Sequence, residues 1–159
     1  MKITEQDKAF MREAIRLADE SVQRGGGPFG AVIVRDGEIV AGSANSVTID
    51  NDPTAHAEVN TIRQACRKLG TFDLSDCVIY TSCEPCPMCL GAIYWAHLRC
   101  VYYGNLKSDA AAIDFADGFI YEELDKPIDR RSVPFINLLR KEAQNTFRLW
   151  SEKTDRIEY

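Results

Sequence analysis

His56-Ala57-Glu58 and, thirty residues on, Pro85-Cys86-Pro87-Met88-Cys89 decide how this chain is read. An imidazole and two thiolates are donors that zinc prefers, and zinc is usually four-coordinate. His56, Cys86 and Cys89 supply three ligands and leave the fourth position to water, as a catalytic zinc requires and a closed structural zinc does not. Glu58 then stands beside the metal as a general acid/base. The competing reading is a structural zinc knuckle or a reduced thiol pair in a core. Glu58 argues against it, because a closed site has no use for an extra carboxylate.

Around the first motif, Asp52-Pro53-Thr54 introduces a helix that Thr54 or a neighbour caps. Val59, Ile62, Cys66 and Leu69 give it one apolar stripe, and Gly70 ends it. His56 and Glu58 fall in its first turn, where the helix dipole favours a carboxylate. Helical arithmetic sets them about 200° apart, so the helix end must point at the site for both to reach it. Around the second motif, Val78-Ile79-Tyr80-Thr81 reads as a strand. Pro85 and Pro87 suit a strand-to-helix elbow, with Cys86 and Cys89 on the first turn of the next helix. Leu90, Ile93, Tyr94 and Trp95 continue that helix, and Val101-Tyr102-Tyr103-Gly104 is a further strand.

Toward the N-terminus, Thr4 with Asp7 marks a helix start, and Phe10, Met11, Ala14, Ile15, Ala18 and Val22 repeat at helical spacing until about Arg24. Gly30 to Val34 is a strand, Asp36-Gly37 a hairpin turn, and Ile39 to Ser43 the returning strand, with Asn45 in the polar loop beyond. Gly25-x-Gly27-x-x-Gly30 matches the dinucleotide fingerprint as a string. That fingerprint needs a strand before it and a helix after. The order here is helix, glycines, strand, which argues against a nucleotide cofactor.

Beyond Gly104 the chain turns acidic, from Asp109 through Asp114 and Asp117 to Asp129. Taken alone, this is a solvated surface, and Asp117 a surface acid. Phe115, Phe119, Ile120 and Tyr121 give it one side that packs. Val133 to Leu138 is expected as a fifth strand, with Pro134 at its start as an edge strand allows. Glu142 to Glu152 reads as helix, and Tyr159, taken alone, as a frayed terminal aromatic. Helices alternating with short buried strands predict an α/β fold, a three-layer α/β/α sandwich on a central mixed sheet of about five strands. Its 159 residues suit one domain, 1–159.

The net charge of −5 weakens any reading as a nucleic-acid binder. No apolar run approaches the ~20 residues of a membrane helix. The segment Met1 to Asp7 lacks the apolar core of a signal peptide, so a soluble, cytoplasmic protein is expected. Six cysteines in such a chain point to metal or catalysis before disulfides. Cys66, Cys77 and Cys100 read as small buried hydrophobes. Cys83-x-x-Cys86-x-x-Cys89 resembles the start of an iron–sulfur run, but Ile93 stands where a fourth cysteine is needed. Cys83 is therefore placed just outside the metal shell.

The H-x-E…P-C-x-x-C spacing is the signature of zinc nucleobase deaminases. The chain resembles, essentially end to end, the short bacterial guanine deaminases of the cytidine-deaminase-like superfamily. The likeness rests on 26–34 (GGPFGAVIV), 51–59 (NDPTAHAEV) and 81–89 (TSCEPCPMC). Ala92-Ile93-Tyr94-Trp95-Ala96, Phe119-Ile120-Tyr121 and Glu158-Tyr159 sharpen it, because RNA adenosine deaminases share most of the metal motifs. The resemblance implies Zn2+ as cofactor and hydrolysis of guanine to xanthine and ammonia, with Glu58 carrying a proton from water to N3. It implies a homodimer that exchanges its C-terminal segment, so that Tyr159 completes the partner's site. It also implies a purine slot: Phe29 flanking the ring, Asn45 bonding the base, the Ala57 backbone beside it, Trp95 nearby, and Asp117 accepting from the guanine edge. A carboxylate there disfavours adenine, which offers an acceptor at N1. Where that family commonly has Gly-Phe-Asp-Asp, this chain has Asp114-Phe115-Ala116-Asp117, so guanine recognition depends on the loop keeping its register. Alternatives are a deaminase of guanosine or ammeline, a tRNA adenosine deaminase, and a non-enzymatic zinc-stabilised module.

Overall fold

The computed structural model describes residues 2–159; Met1, where the N-terminal segment begins, lies outside them. The chain divides into two compact units, one ending at Asp117 and one spanning Gly118–Tyr159.

The first unit opens with α1, Glu5–Gln23. Thr4 and Asp7 close a reciprocal capping box: the Asp7 amide donates to Thr4 Oγ1 (3.1 Å), and the Thr4 amide donates to Asp7 Oδ2 (2.7 Å). β1 (Gly30–Arg35) turns through Asp36 and Gly37, both at positive φ (51° and 79°), into β2 (Glu38–Ala44). A two-residue turn with both residues left-handed matches the twist of a hairpin. A short helix α2 (Val47–Asp50) precedes α3 (Ala57–Leu69), which Gly70 ends in the left-handed conformation (φ 68°). β3 (Val78–Cys83), α4 (Pro87–Trp95), β4 (Cys100–Asn105) and α5 (Lys107–Ala111) follow.

The sheet order is β2-β1-β3-β4, with β1 antiparallel to both neighbours and β3 parallel to β4. β3 is therefore central, and its residues alternate between two layers. Tyr80 faces α1 in a cluster with Ala14, Val32 and Val34, joined by Phe10 and Tyr102. Ile79 faces the other way, in the larger core with Ala57, Ala65, Leu74 and Ile93 under α3 and α4. α1 lies close against β1 because Gly30 has no side chain. A Cβ there would sit 2.2 Å from the Ala14 carbonyl oxygen. This is the expected three-layer α/β/α arrangement.

The second unit holds α6 (Gly118–Asp125), a 3-10 turn at Ile128–Arg130 and α7 (Arg140–Glu152). The expected fifth strand is not formed, and the sheet has four strands. Residues 133–139 are irregular and exposed. Pro134 removes one ladder donor, and this unit offers the segment no strand to pair with among the described residues. Among the described residues no helix is long and apolar enough to cross a membrane.

Candidate active site

Two helix starts converge behind the sheet. His56 is not in the first turn of α3, as the spacing suggested; it is the N-cap, extended at φ −72°, ψ 153°, with Glu58 in the turn that follows. Cys86 occupies the same place on α4, as an extended N-cap at φ −68°, ψ 168°, with Pro87 at the first helical position and Cys89 in the first turn. The extended caps resolve the angular problem that helical arithmetic posed. His56 and Glu58 lie on different helical bearings yet meet one thiol: Cys89 Sγ is 3.5 Å from His56 Nδ1 and 3.4 Å from Glu58 Oε2. Both helix N-termini present positive dipole ends to this place, which favours thiolates and a carboxylate.

The ligand atoms of His56, Cys86 and Cys89 all lie within 4.8 Å of one another. Nδ1 is 3.5 Å from each sulfur. Tetrahedral zinc, with Zn–N of about 2.0–2.1 Å and Zn–S of about 2.3 Å, sets that edge at about 3.6 Å. The donor set and its spacing therefore fit zinc. Cys83 stays outside: its Sγ faces the Leu106 carbonyl at 3.8 Å, and burial together with the Glu58 charge pushes its thiol up to about 11.

The electrostatics suit a cation. The hydrogen bond from Cys89, with help from His56, brings the Cys86 thiol down to about 4. The bond that Cys89 gives to Cys86 pushes its own thiol upward. The hydrogen bond with Cys86 raises the His56 imidazole above its usual value. Burial raises the Glu58 carboxyl, which is only 6% exposed.

The remaining predicted residues fall into two groups. Phe29 and Asn45 are neighbours: the Asn45 amide donates to the Phe29 carbonyl (2.9 Å), and the Ser46 amide donates to the Ala55 carbonyl (2.9 Å), tying this loop to the segment before His56. Asn45 is buried, and its Oδ1 accepts from the Val47 and Gly27 amides (3.2 and 3.4 Å), which leaves Nδ2 as the group to donate. Ala57 is fully buried at the start of α3. Trp95 ends α4, the helix that carries Cys89, and is 65% exposed. Asp117 is half-buried where its neighbours in 111–119 are exposed. Tyr159 belongs to the second unit and is 72% exposed.

Three residues have roles at the site that the sequence did not reveal. Phe115 packs edge-on to Phe29, with ring centroids 5.0 Å apart and planes at 87°, which anchors the 114–117 loop. The Asn60 amide donates to the Ala44 and Ala55 carbonyls (3.1 and 3.3 Å) and to Ser46 Oγ (3.0 Å); its signal was a polar side chain four positions after His56. Thr81, only 1% exposed, donates its hydroxyl to Glu58 Oε1 at 3.0 Å. The departure at Asp114 also has a backbone explanation. Asp114 sits at φ 69°, where the resembling family commonly places Gly. Asp is among the few side chains that tolerate this region, so the loop keeps its left-handed turn.

A sheet with two helix N-termini delivering His, Cys, Cys and Glu to one point defines a zinc-dependent deaminase fold, and the chain belongs to the cytidine and deoxycytidylate deaminase zinc-binding family, whose model matches residues 4–105. The guanine deaminase of Bacillus subtilis (strain 168) is 52% identical over 153 residues, spanning 96% of this chain and 98% of that protein. The X-ray structure of guanine deaminase from Bacillus subtilis superposes with a TM-score of 0.93, over 96% of this chain and 98% of that one, at 52% identity. The tRNA-specific adenosine deaminase of Aquifex aeolicus (strain VF5) is 41% identical over 118 residues, 74% of this chain and 76% of its own.

Proposed function

We propose that this chain is a zinc-dependent guanine deaminase, converting guanine and water to xanthine and ammonia. The observation that carries the reading is the 52% identity to a guanine deaminase sustained over 96% of the chain, which reaches beyond the metal motifs that tRNA adenosine deaminases share. His56, Cys86 and Cys89 would hold the ion. When bound, Zn2+ supplies the Lewis acidity that makes water nucleophilic near neutral pH. Glu58 takes the first water proton as the water oxygen bonds to C2 and delivers it to N3, then carries the second, from the new C2 hydroxyl, to the amine as the C2–N bond breaks and the C2 carbonyl forms.

The purine lies against Phe29, whose ring is braced by Phe115. Asn45 donates Nδ2 to the base, the Ala57 backbone lies beside it, and Trp95 lines the approach. Asp117 accepts the paired N–H groups of the guanine edge. Adenine places an acceptor opposite that carboxylate and is rejected.

The whole chain serves as one deaminase domain, and two copies form it. Among the described residues of 118–159 none is buried: Ile136 is 84%, Phe147 78% and Leu138 77% exposed. A second copy covering this segment accounts for so much exposed apolar surface. In that dimer Tyr159 closes the partner's pocket. All six cysteines are free, as a cytoplasmic protein keeps them. The test is xanthine formation from guanine by the purified protein. It should vanish on chelation and return with Zn2+; turnover indifferent to chelation would refute the metal's role.

A further inference from the structure

We infer that Thr81 is a positioning residue that divides the Glu58 carboxylate into a tethered oxygen and a working oxygen. The inference rests on the proposed role of Glu58 in proton transfer. The two carboxylate oxygens meet different surroundings. Oε1 accepts from the Thr81 hydroxyl at 3.0 Å. Oε2 faces Cys89 Sγ at 3.4 Å, on the side of the ligand cluster.

Thr81 is well placed to hold an oxygen still. It pairs with Ala31 across β1 and with Tyr103 across β4, so its backbone is fixed from both sides of the sheet. Its branched side chain has few rotamers to lose. It is 1% exposed, so water does not compete for the hydroxyl. The neighbouring Thr61 donates to the Ala57 and Ala31 carbonyls (2.7 and 3.2 Å), which locks the first turn of α3 against the same strands. Glu58 is thus held at its backbone by the helix and at one oxygen by β3.

The bond survives both protonation states of Glu58. Oε1 accepts the hydroxyl proton whether the group is a carboxylate or an acid protonated at Oε2. The shuttled proton is therefore directed to Oε2, the oxygen on the side of the ligand cluster. Without the hydroxyl, the carboxylate loses one of the bonds that fix its rotation, and proton transfer depends steeply on that geometry.

The test compares Thr81→Val, which keeps the shape and loses the hydroxyl, with Thr81→Ser, which keeps the hydroxyl, and with Glu58→Gln, all assayed as zinc-loaded protein on guanine. Thr81→Val should lower kcat about 10- to 100-fold while zinc content and KM stay within about twofold. Thr81→Ser should restore kcat to within about threefold. If valine is not tolerated in the strand, Thr81→Ala carries the same expectation. Normal kcat in Thr81→Val with an inactive Glu58→Gln would overturn the positioning role alone. Loss that serine does not rescue would assign the effect to packing and also overturn it. An active Glu58→Gln would instead refute the reading on which the inference stands.

Discussion

In the proposed mechanism, Glu58 carries the chemistry and Cys86 holds the metal. Glu58→Gln should retain zinc and lose about 10²–10⁴-fold in kcat, the usual range for a general acid/base. Cys86→Ala should lose the metal itself. Metal analysis beside kinetics checks both, and zinc retained at full stoichiometry in Cys86→Ala would remove that ligand. Asp114 tests the recognition loop through its backbone. Asp114→Gly should stay within about 1 kcal/mol of the parent and keep its guanine kinetics, whereas Asp114→Val should cost about 1–2 kcal/mol for forcing a β-branched residue left-handed. Thermal melting decides. The candidate site was legible because each motif is local: His56 with Glu58, Cys86 with Cys89. Thr81 was not, because strand alternation gives its face but not a partner 23 residues away.

The sheet and its covering helices position that site, and a partly buried hydrogen bond ties α1 to β3. Tyr80 donates its hydroxyl to Asp7 Oδ1 at 2.6 Å, and Asp7 also accepts from Thr4. The Thr4 side-chain bond, and next that of Tyr80, hold the Asp7 carboxyl below its usual value. A depressed folded pKa stabilises above the unfolded value, and that contribution is lost as pH falls through the folded one. Asp7→Asn, which does not titrate, should therefore show a shallower fall in melting temperature between about pH 5 and pH 3 than the parent. Parallel curves would deny Asp7 this role. Elements with strong local signals were read correctly: the capping box of α1, the Asp36-Gly37 turn, and Gly70 ending α3. The helix starts at His56 and Cys86 were placed slightly wrong. Spacing does not reveal that both residues leave the helix to cap it. The apolar run 133–138 was misread because alternation describes what a strand needs and not whether a neighbour exists to pair with it.

At the scale of the whole molecule, the account requires two copies. A chain ending before Trp150 should keep its zinc and lose guanine turnover, because it lacks Tyr159. Mixing it with full-length Glu58→Gln should restore part of the activity, since the mixed dimer joins an intact Glu58 to a tail from the other subunit. A truncated chain that turns over normally by itself would rule out exchange. The measurement that bears most directly on the central claim is ammonia release by zinc-loaded protein, with kcat/KM determined in parallel for guanine, guanosine, ammeline, cytosine and adenine. The account predicts guanine well above the rest and adenine inert. Silence on guanine with turnover of another base would contradict it, leaving the zinc chemistry in place and moving the specificity to the 114–117 loop.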